Sequence, residues 1–576
     1  MILHALKEYY DRKAADPDSG IAPPGWEWKE LPFLIVIDSV GKPIAIEDTR
    51  EEVLVGKKKQ KRAKRFLVPQ AVKRTASGYP NILWDNPEYT LGVFSDKKKA
   101  DGKKDDSATN HASFIEKTRS LNLSSDAGVA AVFNFLDCSN KVDDLANFPE
   151  WSEILKDAPF LSFRLQGEKE PVFRSSAVVA ALSAKAVSER GSGFCLVSGN
   201  DEPAELTHPA IKGVRDANGT GANIVGFNSP AFCSHGHEQG ANAPVGKTAA
   251  FAYTTALNSL LGKDSRQRML VGDATTVFWA AKADDFENQV ANIFGEPPKD
   301  DPDRLVNAVK SLYRATETGI FVTDTDDTRF YVLGLSPNTA RLAIRFWHTG
   351  TVAEMAGRFR AHFDAIDICH GPNEPEYLSL WRLLVSIAQQ GKSENIPPHI
   401  AGDTMRAILT GLPYPASLFQ AVIIRVKAER TVSYPRAALI KAYLNRTSNK
   451  EEIHVSLDPE NTNIGYRLGR LFAALERIQE AANPGINATI RDRFYAAASG
   501  TPVTVFGNLL RLKNHHLAKL ENPGYRVNLE KLLGEIFSGI SDFPAHLSLE
   551  DQGRFAIGYY HQRQSFFTKN AAQQGE

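Results

Sequence analysis

The sequence predicts an α+β protein: a mixed α/β amino-terminal body, then helical segments, then a carboxy-terminal helical bundle. Three observations lead there. Runs rich in β-branched and aromatic residues between glycines, such as "LPFLIVID" and "FYVLGLSP", confine the strands to the first 345 residues. After Trp347 apolar residues recur at spacings of three and four, the helical period. From residue 464 four amphipathic segments follow one another, enough for a bundle.

Taken in order, residues 2–15 put Leu3, Leu6, Tyr9 and Tyr10 on one helical face before "DPDSGIAPPG" stops the helix. "PFLIVIDSVGKPIAIEDT" reads as two strands around a Ser-Val-Gly-Lys turn, and "RFLVPQAV" as a further strand after a run of cations. Residues 95–110, "SDKKKADGKKDDSATN", have almost no apolar content and read as a solvated loop. The later helices are expected in "TVAEMAGRFRAHFDAI", "YLSLWRLLVSIAQQ", "TMRAILTGL", "SLFQAVIIRVKAER", "PRAALIKAYLNR", "IGYRLGRLFAALERIQEAA", "TIRDRFYAAAS", "TVFGNLLRLKNHHLAKL" and "NLEKLLGEIFSGI". Three divisions follow: a body over 1–345, a helical connection over 346–454, and a bundle over 455–576.

A chain of 576 residues is long enough for several cores, and 42% hydrophobic with 24% charged residues is globular composition. Lys plus Arg and Asp plus Glu number 68 each, so any nucleic-acid contact must come from local segregation of charge. Cys138, Cys195, Cys233 and Cys369 form no close pair, which argues against a disulfide scaffold and a zinc ribbon and fits a reducing cytoplasm. The first residues lack the apolar run of a signal peptide, and no stretch reaches the ~20 apolar residues of a membrane span.

Two segments look chemical. "ANAPVGKT", 241–248, has the loose form of a phosphate-binding loop, but the preceding "CSHGHEQG" is polar rather than a buried strand. Cys233, His235 and His237, with Cys195 and His208 upstream, offer zinc ligands without the pair spacing of structural zinc sites. Both read better as polar loop, and no cofactor is expected. A metal-dependent nucleic-acid-modifying enzyme using Cys233, His235 and His237 is the alternative to the reading below.

The strongest physical signal is "KKKQKRAKRFLVPQAVKRTASGYPNILWDN", residues 57–86. Lys57, Lys58, Lys59, Lys61, Arg62, Lys64 and Arg65 would repel one another unless exposed or neutralised, and phosphates neutralise them with release of counterions. In the following stretch Gln70, Lys73, Arg74, Asn81 and Asn86 can donate to base edges, while Tyr79 and Trp84 can stack or pack.

At "SGIAPPGWEWKELPFLIVID", "FLVPQAVKRTASGYPNILWDNPEYTLGV", "GFNSPAFCSHGHEQGANAPVGKTAAFAYTTALN", "LPYPASLFQAVIIRVKAERTVSYPRAALIKAYLNR" and "QGRFAIGYYHQRQSFF" the chain resembles the large subunit of the type I-C CRISPR effector complex, Cascade, almost end to end. The resemblance implies a non-catalytic, cytoplasmic subunit that recognises a protospacer-adjacent motif in duplex DNA while a guide RNA supplies sequence specificity. It implies as partners the target duplex and its displaced strand, the guide RNA, the backbone and RNA-end-capping subunits, small helical subunits and a separate helicase-nuclease. A small subunit made from within the same gene would need Met405 or an alternative start, best placed at Val455. On this reading the seven cations hold phosphates, and Gln70, Lys73, Arg74, Asn81 and Asn86 lie near the motif. Asn228, Gln239, Asn242 and Lys247 form a second polar loop on nucleic acid.

Overall fold

The computed structural model describes residues 1–55, 58–72, 74, 77–100, 102, 104–188, 193–298, 301–317, 328–447 and 452–567. The chain is α+β, about half helical, with its strands early and its helices late. It divides into two compact units, Met1–Ile211 with Asn223–Ser259 and Lys212–Ala222 with Leu260–Glu576. The expected segments 346–454 and 455–576 therefore share one unit with 260–345. One apolar core runs from Met269 to Tyr560 through all of them.

The first unit opens with the expected helix, Ile2–Ala14, which buries Leu6, Tyr9 and Tyr10. Its strands are β1 (Trp26–Glu30), β2 (Phe33–Ile37), β3 (Pro43–Asp48), β4 (Arg50–Val55), β5 (Lys58–Ala63), β6 (Arg65–Pro69), β7 (Trp84–Asp85) and β8 (Leu161–Leu165). One sheet has the order β3-β2-β8-β7, with β2 and β8 parallel. Strand β2, all apolar, is buried along its whole length as a central strand must be. Gly41 closes the β2–β3 turn at φ +89°, and a Cβ there would also strike the helix Ala127–Asp137. The turn needs glycine on both counts. Strands β1 and β6 form one antiparallel pair, β4 and β5 another.

The loop expected over 95–110 contains structure. A short helix, Asp96–Ala100, forms where Lys98 reaches the buried Glu88 carboxylate at 2.6 Å, and the helix Ser107–Arg119 begins soon after. An ion pair to a buried carboxylate thus falls within a segment whose composition looks solvated.

In the second unit β9 (Arg268–Val271), β10 (Ala274–Ala280), β11 (Arg329–Asn338) and β12 (Arg341–Thr351) form an antiparallel meander. The change of pattern after Trp347 is real. Thr351 and Glu354 make reciprocal capping bonds that start the helix Val352–Ile366 directly from β12. The helix Ile464–Ala482 matches its expected segment at both ends. Its principal neighbour, Leu549–Ser565, carries no clear apolar stripe and was not expected as a helix. The two approach through glycines: a Cβ at Gly469 would fall on the Phe555 carbonyl oxygen, and one at Gly558 on that of Tyr466. Among the described residues no helix is long and apolar enough to cross a membrane.

Two outcomes follow from this packing. Gly469→Ala must push the two helix backbones apart and should cost about 3 kcal/mol in denaturant unfolding. Gly357→Ala, in an interior helical position with nothing within 4 Å of the new methyl, should be neutral or slightly stabilising. Equal effects of the two would refute the close approach. His362 and His561 are each pushed down to about 3, first by burial, then by Arg446 for the former and by Lys441 and His454 for the latter. The unfolded chain takes up these protons near pH ~6.5. Stability from the neutral rings is thus complete above that pH and is lost as pH falls toward 3, by up to ~1.4 kcal/mol per pH unit for each ring. Unfolding midpoints measured from about pH 7 to about pH 5 should fall, and less steeply in His561→Gln.

Candidate nucleic-acid interface

The cationic run forms a strand. Pairing of β5 with β4 sets Arg62 opposite Glu51 and Lys61 opposite Glu52, and Lys59 Nζ lies 2.9 Å from Glu52. Arg62 also approaches Glu30 at 3.7 Å. These pairs are largely exposed, so each is worth little, but together they relieve the repulsion that the bare sequence implies. Lys59, Lys61, Lys64 and Arg65 are exposed. The Lys64 ammonium lies 5.3 Å from the centre of the Phe66 ring, and the Arg65 guanidinium 5.7 Å from that of Trp28. Lys57 lies outside the described residues, and Lys58 is known only as the strand position opposite Val55.

The root of this ribbon is held at Arg50. Its guanidinium bonds Asp48 and Glu153 and sits 4.7 Å over the Phe33 ring. Through these bonds Arg50 holds both carboxyls below their usual range, against the opposing effect of burial.

Strand β6 carries the chain from the ribbon to the second half of the candidate site. Gln70, partly exposed at its end, donates its backbone N–H to the Gly25 carbonyl at 2.8 Å. The next residues fold around Asp85, which is fully buried. Its carboxylate pairs with Arg74 and accepts the N–H of Asn81 at 2.9 Å and of Asn86 at 2.8 Å. Burial pushes the Asp85 carboxyl up, against the pull of the Arg74 charge and the two amides. Arg74 also donates to the Tyr79 carbonyl at 2.7 Å and lies 4.0 Å over the Tyr89 ring.

The asparagines serve the same loop. Asn81, only 3% exposed, accepts the Val72 N–H at 3.0 Å, and Asn86 caps the short helix Pro87–Thr90 by accepting from Glu88 N. Arg74, Asn81 and Asn86 are thus brought together, but their polar groups are engaged within the loop. Trp84 is buried and donates to the Pro69 carbonyl at 2.9 Å, which ties the loop to the end of β6. Tyr79 stands 51% exposed at the surface. Lys73 lies outside the described residues. Sequence reasoning missed Asp85 as the organising group, although Asn86-Pro87 is a helix-start pattern that flags the fold of its neighbours.

The second polar loop is knotted by Asn242, which accepts the Ser234 N–H at 2.8 Å and donates to the carbonyls of His237 and Gln239. Asn228 and Gln239 are exposed, and Lys247 is exposed at the start of the helix Lys247–Leu260. That helix start differs from a phosphate-binding loop in one decisive way. Glu202 occupies it, accepting the Thr248 N–H at 3.0 Å and the Ser198 hydroxyl at 3.1 Å, and its side chain fills the space above Gly246. Burial acts to raise the Glu202 carboxyl, but these bonds outweigh it and hold the group below its usual range. An internal carboxylate takes the position an anion would need.

Cys233 is partly buried, with its thiol toward the Ser229 carbonyl, while His235 and His237 are exposed. Cys195 and His208 are engaged elsewhere, Cys195 accepting the Gly246 N–H at 3.1 Å and His208 bonded to the Tyr253 hydroxyl at 2.6 Å. Among the described residues no three His, Cys, Asp or Glu side chains are grouped as metal ligands.

Arg74→Ala leaves the buried Asp85 charge with amides alone and should destabilise the loop by about 3 kcal/mol. Hydrogen exchange at the Asn81 and Asn86 amides should speed up sharply, with partial recovery in Arg74→Lys. Unchanged exchange would remove Asp85 from the centre of the site.

With this geometry described, comparison with known proteins adds a family. A family model described as CRISPR-associated protein (Cas_Csd1) matches residues 6–567. No curated protein matches the chain. The family match runs through the ribbon, the Asp85 loop and the helices of the second unit alike, and the chain belongs to the Cas_Csd1 family of CRISPR-associated proteins.

Proposed function

We propose that this chain is the non-catalytic large subunit of a type I-C Cascade and that its first unit reads the protospacer-adjacent motif in duplex DNA. The observation that carries the reading is the joining, by one strand, of a largely exposed cationic ribbon to a polar loop folded around the buried Asp85. From Arg65 to Gln70 the backbone covers about 16 Å at ~3.3 Å per residue, close to five base-pair steps of ~3.4 Å. Cations at one end grip phosphates while the loop at the other meets base edges.

Within that division Lys57, Lys58, Lys59, Lys61, Arg62, Lys64 and Arg65 are the phosphate contacts. Gln70 and the exposed Tyr79 are the surface readers, and Arg74, Asn81 and Asn86 fix the loop between them; Lys73, outside the described residues, keeps the reading role its place in the sequence suggests. Asn228, Gln239, Asn242 and Lys247 give a further polar surface for nucleic acid. Guide RNA, the displaced strand, the backbone and capping subunits and a helicase-nuclease complete the assembly, the last supplying the bond-breaking chemistry. A chain started at Val455 would retain both glycine-packed helices, Ile464–Ala482 and Leu549–Ser565, as a small helical subunit requires.

The test is binding of the reconstituted complex to duplexes with a randomised motif. Lys59→Ala with Lys61→Ala should weaken binding evenly across the library and reduce the slope of log affinity on log salt by about 2. Gln70→Ala should change base preference by about 1–3 kcal/mol at one position, with little change in the salt slope. A uniform loss for Gln70→Ala and Tyr79→Ala, or none at all for the double lysine variant, would refute the assignment.

A further inference from the structure

The second unit holds a cavity of about 340 Å³ beside the loop 367–379. Its floor is aromatic: Tyr434 and Tyr560 line it, each about 95% buried. The Tyr560 hydroxyl donates to the Cys369 carbonyl at 2.9 Å, and the His370 ring rests against Tyr434 with centroids 4.7 Å apart. Both tyrosine rings are therefore fixed in place.

The other polar walls are Asn373, Ser433 and Gln564, each able to donate or accept, and the Glu374 carboxylate, with no lysine or arginine. The carboxylates near the two tyrosines act on them in the same direction. Burial raises the Tyr434 hydroxyl first, and Asp367, Glu374 and Glu376 raise it further; Glu374 acts in the same direction on Tyr560. Glu376 is neutralised by Lys310 at 3.0 Å, whereas Asp367 and Glu374 have no ion pair among the described residues.

This chemistry selects its occupant. A phosphate or carboxylate would meet Glu374 with nothing to balance it, and an apolar group would bury the same carboxylate unpaired. A cation satisfies the carboxylate and is compatible with the tyrosine rings that line the cavity. Guanidinium suits the site better than ammonium, because it is flat, weakly hydrated and can fork its donors to a carboxylate. We infer that this cavity receives an arginine side chain from a partner polypeptide, making loop 367–379 a protein-docking site. The inference concerns the second unit and does not depend on motif reading by the first.

Titration calorimetry of the full chain with acetyl-Gly-Arg-Gly-amide tests it, against peptides carrying citrulline or lysine at the central position. The arginine peptide should bind saturably and at least about tenfold more tightly than its neutral citrulline counterpart, and Glu374→Gln should weaken it about tenfold. Glu374 is exposed, so this variant keeps the fold, and an unchanged thermal midpoint checks it. A photoreactive residue at position 373 in the assembled complex should cross-link to a polypeptide. Equal affinity for citrulline or lysine, no effect of Glu374→Gln, or cross-linking to nucleic acid in place of protein would overturn the assignment.

Discussion

The buried carboxylate of Asp85 is the constraint on which the candidate interface depends. A charge held away from water is tolerated only when donors surround it. Here one guanidinium and two backbone amides do so, and each comes from a different point along residues 74–86. Satisfying Asp85 therefore dictates the path of the chain. Arg74, Asn81 and Asn86, which look available for base recognition in the sequence, are engaged in fixing that path, Arg74 by its guanidinium and the asparagines by backbone amides and side-chain oxygens. What remains at the surface is presented by a loop with few alternatives, which lowers the ordering cost of binding.

The ribbon obeys the opposite logic. Some of its cations face acids, Arg62 opposite Glu51 and Lys61 opposite Glu52 in the strand register, with Lys59 paired to Glu52 at 2.9 Å, and these exposed contacts are weak individually. An incoming phosphate can replace a glutamate at little cost, and the counterions it releases supply the drive. The zero net charge of the chain is thus compatible with polyanion binding, because seven cations are concentrated between Lys57 and Arg65, where Glu30, Glu51 and Glu52 stand near some of them in exposed positions. Arg50, half hidden and bonded to two carboxylates, is the exception, and it anchors the ribbon rather than offering a contact.

Much of the fold was legible in the sequence because helical spacing is a local property. Ile464–Ala482 is matched at both ends, and the Asn463 cap that starts it can be read directly. Strand β2 was equally plain as an unbroken apolar run. What escaped depends on partners distant in the chain. Strand β5 is almost all cation and polar, and its own residues do not show the pairing with β4 that sets Glu51 and Glu52 opposite Arg62 and Lys61. Helix Leu549–Ser565 has polar residues on every face, and Arg554, His561 and Gln562 are buried against the unit's own helices. For the candidate site, the region was legible from its charge, but the division between presenting and supporting residues was not, since it rests on the burial of one aspartate.

A second buried carboxylate shows that the arrangement at Asp85 is particular to its task. Glu476 is also fully buried, and it accepts from the Thr489 and Tyr559 hydroxyls at 2.6 Å each, with Arg563 at 3.6 Å and Arg491 at 3.9 Å. It stands on Ile464–Ala482 and its partners come from Ile490–Gly500, with its Thr489 cap, and Leu549–Ser565, so it fixes the mutual placement of three rigid elements whose own backbone bonds are already satisfied. Asp85 instead takes up amides that have no strand or helix to serve them, and it thereby substitutes for secondary structure in the loop. The first kind of carboxylate stabilises packing that apolar contacts and close glycines also specify. The second kind works where regular structure is sparse, so the shape of the loop beside the ribbon depends on this ion pair and its two amides together with the Trp84 bond to Pro69 and the Asn81 bond to Val72.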